Sequence, residues 1–332
     1  MKLREIGRSG IHVSAAGLGC NNFGFFQDTA QCKECVHAAL DAGITFFDMA
    51  SEHGAGAEEA LVGKVLRGHR HAVVIATKFG QPELLGLDAN GGMQMRKDPQ
   101  RQGMSRRWIM QTVEESLRRL GTDYIDLYQP HVVDATVPAD ETLRALDELV
   151  QQGKVRAIGQ AATFATAADV TLQQDIAMRQ GLSPFSSMQT HYNLLMRDAE
   201  REILPMLRAR HMSLLPYWPL ANGLLSGKYN SAVAAAEGTR LAKIRMVKDL
   251  YGLRHWRQVE LLRSFALSRG MDMVELSFAW LLSEDAVASV IAGASSAQQV
   301  AQNAKAADST LSPSDRCELL RLLDEDMSED GH

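Results

Sequence analysis

The sequence predicts an α/β protein in which eight parallel strands close into a (β/α)8 barrel. Strand and helix signals alternate along the whole chain, which implies right-handed βαβ crossovers and a parallel sheet. Eight short apolar runs each precede a helical pattern. None of them is followed by the G-x-G-x-x-G turn that opens a doubly wound dinucleotide-binding sheet. The chain has 332 residues, 45% of them apolar. That is enough for a large core, and α/β barrels run to this length as one unit. No linker-like stretch divides the chain, so residues 1–332 are expected to form a single barrel domain.

The elements follow in order. Two short alternating segments flank Arg8-Ser9-Gly10, which reads as an N-terminal hairpin. The first strand is expected at 15–18, and Thr29 is expected to cap a helix that stops at Gly43. Strand 44–47, helix 57–66 and strand 73–76 come next. Residues 80–103 are polar, carry no periodicity and read as a long loop, the kind that is usually functional. Ser105 caps a helix whose apolar stripe is Ile109, Val113, Leu117 and Leu120, with Gly121 as its stop. Strand 124–128 leads to a helix opened by Pro138, with Leu143, Leu146 and Val150 inward. Strand 155–158, helix 166–179, strand 187–189, helix 199–210 and strand 213–216 complete seven units. A second irregular region spans 218–251. Helices at 255–269 and 273–282, an eighth strand at 287–291, and helices begun by Ser296 and Ser312 finish the chain.

Composition removes several classes of function. A net charge of −5 offers no basic surplus for nucleic acid or an anionic membrane. No apolar run reaches the length of a membrane span, and the first residues do not form a signal peptide. A cytoplasmic protein with reduced thiols is the expectation. Of the four cysteines, Cys32 and Cys35 form a CxxC. They share a helical face with Val36, Ala39 and Leu40, where small buried cysteines fit well. No second Cys/His pair has zinc-finger spacing, so no metal is expected.

Asp48, Lys78 and His131 each lie just past the carboxyl end of an apolar run. In a closed ring of parallel strands those ends share one mouth, so ionisable groups from three strands converge there, as barrel active sites require. An Asp–Lys pair could also be structural, since a buried ion pair alone is weak evidence of function. His191 reads as structural, Trp218 as a wall of the pocket, and Glu58-Glu59 as solvated helix surface with charges suited to a first turn.

Several segments taken together resemble the aldo-keto reductase family. They are Phe47-Asp48-Met-Ala50, Ala76-Thr77-Lys78-Phe79-Gly80, Tyr124-Ile-Asp-Leu-Tyr-Gln-Pro-His131, Gln152-Gly-Lys-Val-Arg156, Tyr192-Asn193-Leu194, Gly223-Leu-Leu-Ser-Gly-Lys-Tyr229, and the run from Gly293 to Asn303. The resemblance covers nearly the whole chain in order. It implies a TIM barrel with a hairpin closing its bottom, and NADPH-dependent reduction of a carbonyl in a small-molecule substrate. In the family an Asp, a Tyr, a Lys and a His surround the substrate oxygen, and the Tyr donates the proton. By motif, Asp48, Lys78 and His131 take three of these places. His53 stands where the Tyr is expected, in Asp48-Met-Ala-Ser-Glu-His53-Gly54. Imidazole titrates in the useful range, but repulsion from the Lys78 cation favours its neutral form. Weakened proton donation follows. His53 is open to three readings: a substituted acid, a donor to substrate, or an inert replacement.

The resemblance also implies the cofactor contacts. Gln189 matches a carboxamide contact, but Gly159-Gln-Ala161-Ala162 lacks the Ser-Asn pair usual after the fifth strand. Tyr217 would stack on nicotinamide. Pro219, Leu220, Asn222 and Lys228 belong to the pyrophosphate loop. Gly293 and Ser295 lead into a helix N-terminus suited to phosphate. Ser295, Gln299 and Arg240 resemble contacts to an adenosine 2′-phosphate, and Gln302 and Asn303 resemble adenine contacts. NADP is therefore expected over NAD. The alternatives are a cofactor-binding protein without turnover that senses redox state or docks a partner, and a metal-assisted lyase, isomerase or hydrolase using Asp48, His53 and His131. The ammonium of Lys78 argues against the last. The oligomeric state is left open.

Overall fold

Short aliphatic runs bounded by polar turns become strands because each can bury both faces, one toward a barrel interior and one toward a helix. The computed structural model describes residues 1–24, 27–88, 92–96, 98–229 and 253–329. Its main sheet has eight parallel strands: β3 (Ala16–Gly19), β4 (Phe46–Asp48), β5 (Val74–Phe79), β8 (Ile125–Pro130), β9 (Val155–Gln160), β10 (Phe185–His191), β11 (Ser213–Tyr217) and β12 (Val290–Gly293). Neighbours in sequence are neighbours in space from β3 round to β11, and β12 returns to pair with β3, Ile291 opposite Gly17. Backbone hydrogen bonds from Leu214 N to Ala286 O and from Ala288 N to Leu214 O bring the last gap together. The eight strands match the eight predicted runs, although β12 starts later than 287.

An antiparallel hairpin of β1 (Leu3–Glu5) and β2 (His12–Ser14) lies at the amino end of the barrel. Ile6, Ile11 and Val13 from it share one buried cluster with Phe46, Val74, Ala76, Leu127, Ala157, Leu215, Ala288 and Ile291. The hairpin thus plugs the bottom and leaves the carboxyl ends of the strands open. A second, larger cluster fills the space between strands and helices.

The helices are α1 (Thr29–Asp41), α2 (Ala57–Val65), α3 (Arg106–Leu120), α4 (Ala139–Gln151), α5 (Ala167–Gln180), α6 (Ile203–Arg210), α7 (Leu253–Ser268), α8 (Met273–Leu282), α9 (Ala297–Ala306) and α10 (Pro313–Glu329). Ser105, Thr166 and Ser296 cap α3, α5 and α9 through their hydroxyls, and Gly121 ends α3 in the left-handed conformation. The first helix differs from expectation. Its cap is Asp28, in a reciprocal capping box with Gln31, and Thr29 is the first helical residue. The expected helix 199–210 is divided into a 3-10 turn, Asp198–Glu200, and α6.

The stretch 80–103 is not structureless. It carries an antiparallel hairpin, β6 (Leu84–Leu87) with β7 (Met93–Met95). Its two ends are tied by the hydrogen bond from Gly103 N to Gly80 O, 2.7 Å. Cys20, Cys32 and Cys35 are buried free thiols, and Cys317 is exposed. Among the described residues no helix is long and apolar enough to cross a membrane.

Candidate active site at the barrel mouth

Parallel register brings the strand ends together. Gly19 pairs with Asp48, Lys78 with Gln129, and His191 with Tyr217, all at the carboxyl rim. Asp48 and Lys78 point inward there and are almost completely buried. Lys78 Nζ donates to Asp48 Oδ2 at 2.7 Å and to the Met49 carbonyl at 2.9 Å. The other Asp48 oxygen accepts from Gln189 Nε2 at 3.1 Å. Three predicted site residues from β4, β5 and β10 therefore form one hydrogen-bonded unit. Two acceptors within reach of one ammonium meet the requirement that a buried cation be paired.

His53 and His131 stand beside this unit. Their rings lie 6.3 Å apart, edge to face. His53 leads into a one-turn 3-10 helix, Gly54–Gly56, and its segment pairs with Leu84 of the β6 strand. His131 follows β8, with its backbone N–H bonded to the Phe79 carbonyl at 2.7 Å. Each ring is tied through Nδ1 to a carboxylate. His53 Nδ1 is 2.5 Å from Glu58 Oε2, and His131 Nδ1 pairs with Glu52 Oε1.

These carboxylates overturn one expectation. Glu58 and Glu59 are fully buried, not solvated helix surface. Glu59 accepts from Thr77 Oγ1 at 2.6 Å and from Arg119 Nε at 2.7 Å. Glu58 faces the mouth. The buried charge explains a second difference. Burial opposes a charged His53, and Lys78 repels it, but Glu58 and Glu52 together outweigh both and raise its pKa above 6.5. Glu52, although burial acts against it, is held at about 2 by the charge and hydrogen bond of His131. Repulsion from Lys78 alone would leave His53 neutral and a weak proton donor, as the sequence suggests. The attraction of the two glutamates acts against that repulsion. The signal for it was present as Glu52 and Glu58 on either side of His53.

On the far side of the mouth His191 lies flat against Tyr217, centroids 5.5 Å apart, with Trp218 edge-on at 5.2 Å. Burial pushes His191 down to about 4, so this imidazole is neutral. Its Nε2 lies 3.0 Å from Asn193 Nδ2, which also donates to the Trp218 carbonyl at 2.9 Å. Past Tyr217 the chain turns through Pro219 and Leu220 into a 3-10 segment, Ala221–Ser226, followed by the exposed Lys228. Inside it Asn222 takes a positive φ of 55°. Its side-chain oxygen and nitrogen are both buried without a hydrogen-bond partner.

At the third edge Gly293 ends β12 and Ser296 caps α9. The Gln299 side chain folds back to accept from Ser295 N at 2.9 Å and from Ser295 Oγ at 3.1 Å. Asn303 is buried, whereas Gln302 reaches sideways to Asp272 at 3.2 Å. Arg240 lies outside the described residues. In place of the expected Ser-Asn pair, Gln160 Oε1 accepts from Ala162 N at 2.9 Å and Gln160 Nε2 donates to Gln173 at 3.1 Å. Among the described residues no group of three or more His, Cys, Asp or Glu side chains is placed to hold a metal ion. The two histidines that a metal reading would use face carboxylates of their own.

Comparison with known proteins agrees with this fold. The model of the Aldo/keto reductase family matches residues 16–322. The L-glyceraldehyde 3-phosphate reductase of Escherichia coli strain K12 is 31% identical over 92% of this chain and 87% of its own. A putative aryl-alcohol dehydrogenase of Schizosaccharomyces pombe is 35% identical over 83% of each. Among solved structures, the holo form of aldo-keto reductase AKR11C1 from Bacillus halodurans superposes with a TM-score of 0.74. It is 31% identical and covers 97% of this chain and 96% of its own.

Proposed function

The chain belongs to the aldo/keto reductase family, whose members are oxidoreductases that act on carbonyl substrates with a nicotinamide cofactor, and from that premise we propose that it reduces an aldehyde, ketone or sugar-like carbonyl using NADPH, with His53 as the proton source. One observation carries the reading: Asp48, Lys78, His53 and His131 gather at one rim of the barrel, with the ammonium bonded to the carboxylate at 2.7 Å.

The residues present fit a dinucleotide. The two orphaned polar atoms of Asn222 are buried in the loop that would pass the pyrophosphate, and an unpartnered buried amide is a site awaiting a ligand. The exposed Lys228 supplies positive charge to the same loop. Gly293 and Ser295 lead into a helix N-terminus with Gln299 in its first turn, where backbone N–H groups favour phosphate, and Gln302 and Asn303 follow a turn further along. Tyr217 offers an aromatic face to the nicotinamide end, and Gln189 an amide. When bound, the nicotinamide supplies the hydride. NADP is preferred over NAD because Ser295 and Gln299, with Arg240, suit a 2′-phosphate.

The chain's own groups then act as follows. Lys78, fixed by Asp48 and the Met49 carbonyl, places a cation beside the mouth and stabilises negative charge that develops on a carbonyl oxygen. Protonated His53 gives up the Nε2 proton to that oxygen. His131 offers its own Nε2 edge to orient the carbonyl. Trp218 and His191 wall the pocket and exclude water.

Oxidation of NADPH over a panel of aldehydes, ketones and aldoses from about pH 5 to 8, where imidazole titrates, tests this. The expected result is turnover that rises toward low pH, and a loss of roughly 10²-fold to 10⁴-fold in kcat/KM in His53→Phe, the range for removal of a general acid. A His53→Tyr variant should sustain turnover at higher pH. Tight NADPH binding with no hydride transfer by either protein would instead establish a cofactor-binding protein without turnover.

A further inference from the structure

Two buried carboxylates at the mouth have no counterpart among the groups used so far. Glu58 is completely hidden and Glu52 nearly so, while the rings they hold are partly open: the His53 side chain is 20% exposed and that of His131 18%. In each pair the carboxylate meets Nδ1. Nε2 therefore lies on the opposite edge of each ring, and among the described residues neither Nε2 has a protein partner. A buried acceptor behind an imidazole fixes its tautomer and ring orientation and leaves the outer nitrogen to exchange a proton. The arrangement is that of a base oriented by a third group.

We propose that Glu58 is a positioning residue that holds the Nδ1–H of His53 and thereby makes His53 Nε2 the proton-delivering atom of the site, with Glu52 holding His131 in the same way. The inference rests on the reading of His53 as the proton source. In the reducing direction the Nε2–H bond breaks and an O–H bond forms on the substrate. The C=O π pair goes to that oxygen as hydride from the nicotinamide nucleotide forms the C–H bond. His53 is left neutral, Nδ1–H still on Glu58. In the oxidising direction the freed Nε2 lone pair takes the alcohol proton back. Glu58 keeps one oxygen, Oε1, without a partner, so its hydrogen bonding goes to His53 alone. The charged and titratable groups around His53 are Glu58 on α2, Glu52 beside it in the chain, Lys78 on β5 and His131 after β8. Asp48 on β4 acts through Glu58 and Lys78. The two glutamates provide the negative balance that lets the ring carry a proton next to an ammonium; the raised pKa of His53 agrees with this, while burial raises the pKa of Glu58 and the charge and hydrogen bond of His53 oppose that rise.

The test compares the whole protein with Glu58→Gln, Glu58→Asp and Glu59→Gln, the last removing a neighbouring buried carboxylate that touches neither histidine. Histidine-labelled protein without cofactor is titrated by NMR to read the tautomer and midpoint of His53, and kcat/KM for NADPH-dependent reduction is then measured against pH. Wild type should show the Nδ1–H tautomer and a midpoint above that of free histidine. Glu58→Gln should lower the midpoint by about one unit, a tenfold loss of proton affinity. The fall of kcat/KM with rising pH should move down by the same amount, Glu58→Asp should restore part of both, and Glu59→Gln should move neither. If Glu58→Gln does not fold, Glu58→Asp reads the same midpoint. An unmoved midpoint, or the Nε2–H tautomer in wild type, overturns the proposal. A moved midpoint with an unmoved rate profile upholds the Glu58 hold on the ring and overturns His53 as the proton source.

Discussion

A histidine pressed flat against Tyr217 and crossed by Trp218 is tolerated only without charge. Burial takes His191 from 6.5 down to about 4, so the folded state binds this proton less tightly than the unfolded chain does. The stability it contributes is complete above about pH 6.5 and is lost as pH falls toward about 4. Glu52 acts in a separate, lower window, because its depressed pKa of about 2 costs stability only below 4.5. Unfolding free energies from urea titrations at steps across the upper window should fall with pH in wild type, by at most ~3.4 kcal/mol from this group. They should fall less in His191→Asn. The burial of the two α2 glutamates was not legible in the sequence, because first-turn glutamates are normally solvated. Here the loop at Gly24 packs so closely over α2 that a Cβ at Gly24 would lie 3.1 Å from Ala57 Cβ and 3.2 Å from Glu58 N. Arg119 reaches across from α3 to Glu59. Both contacts are between distant segments, and no local spacing encodes them. Asp48, Lys78 and His131 were legible because strand ends in a barrel must converge.

Elements were legible where their signals are local. Ser105, Thr166 and Ser296 cap helices because a hydroxyl there reaches an orphan N–H, whatever surrounds it. The hairpin of Leu84–Leu87 with Met93–Met95 was not legible, because Leu84-Leu85-Gly86-Leu87 shows no alternation and the polar residues around it read as loop. Packing between elements is where local rules fail, and Gly63 in α2 makes this measurable. Glycine to alanine inside a helix ordinarily gains about 1 kcal/mol. A Cβ on Gly63 would lie 2.4 Å from Leu120 O and 2.6 Å from Leu120 Cα. Both are backbone atoms that cannot rotate aside. Gly63→Ala should therefore destabilise by ~1–3 kcal/mol, the range for overpacking. A urea midpoint at or above that of wild type would show that α2 and α3 can separate at no cost.

At the scale of the whole molecule, any ligand that binds only the folded barrel stabilises all of it. At a concentration of 100 times Kd the gain is ~2.7 kcal/mol, which for a chain of this size is a rise in Tm of roughly 3–5 °C. NADPH should produce such a shift, and NADH, without the 2′-phosphate, a smaller one at equal concentration. Equal shifts from the two nucleotides would remove the preference for NADP.

The hairpin that seals the bottom is anchored by Arg4. Its guanidinium donates to the Leu282 carbonyl at 2.8 Å and to the Val287 carbonyl, and the first of these partners lies 278 residues along the chain. During synthesis the Arg4 anchor therefore cannot form until residues 282–287 have emerged. Until then Ile6, Ile11 and Val13 lack Ala288 and Ile291 of their buried cluster, and the early strands wait as an open sheet with unpaired edges. The nascent chain cannot complete this barrel piece by piece as it emerges. Final closure waits for β12 to pair with β3, and the interval before it is when the protein most needs protection from aggregation.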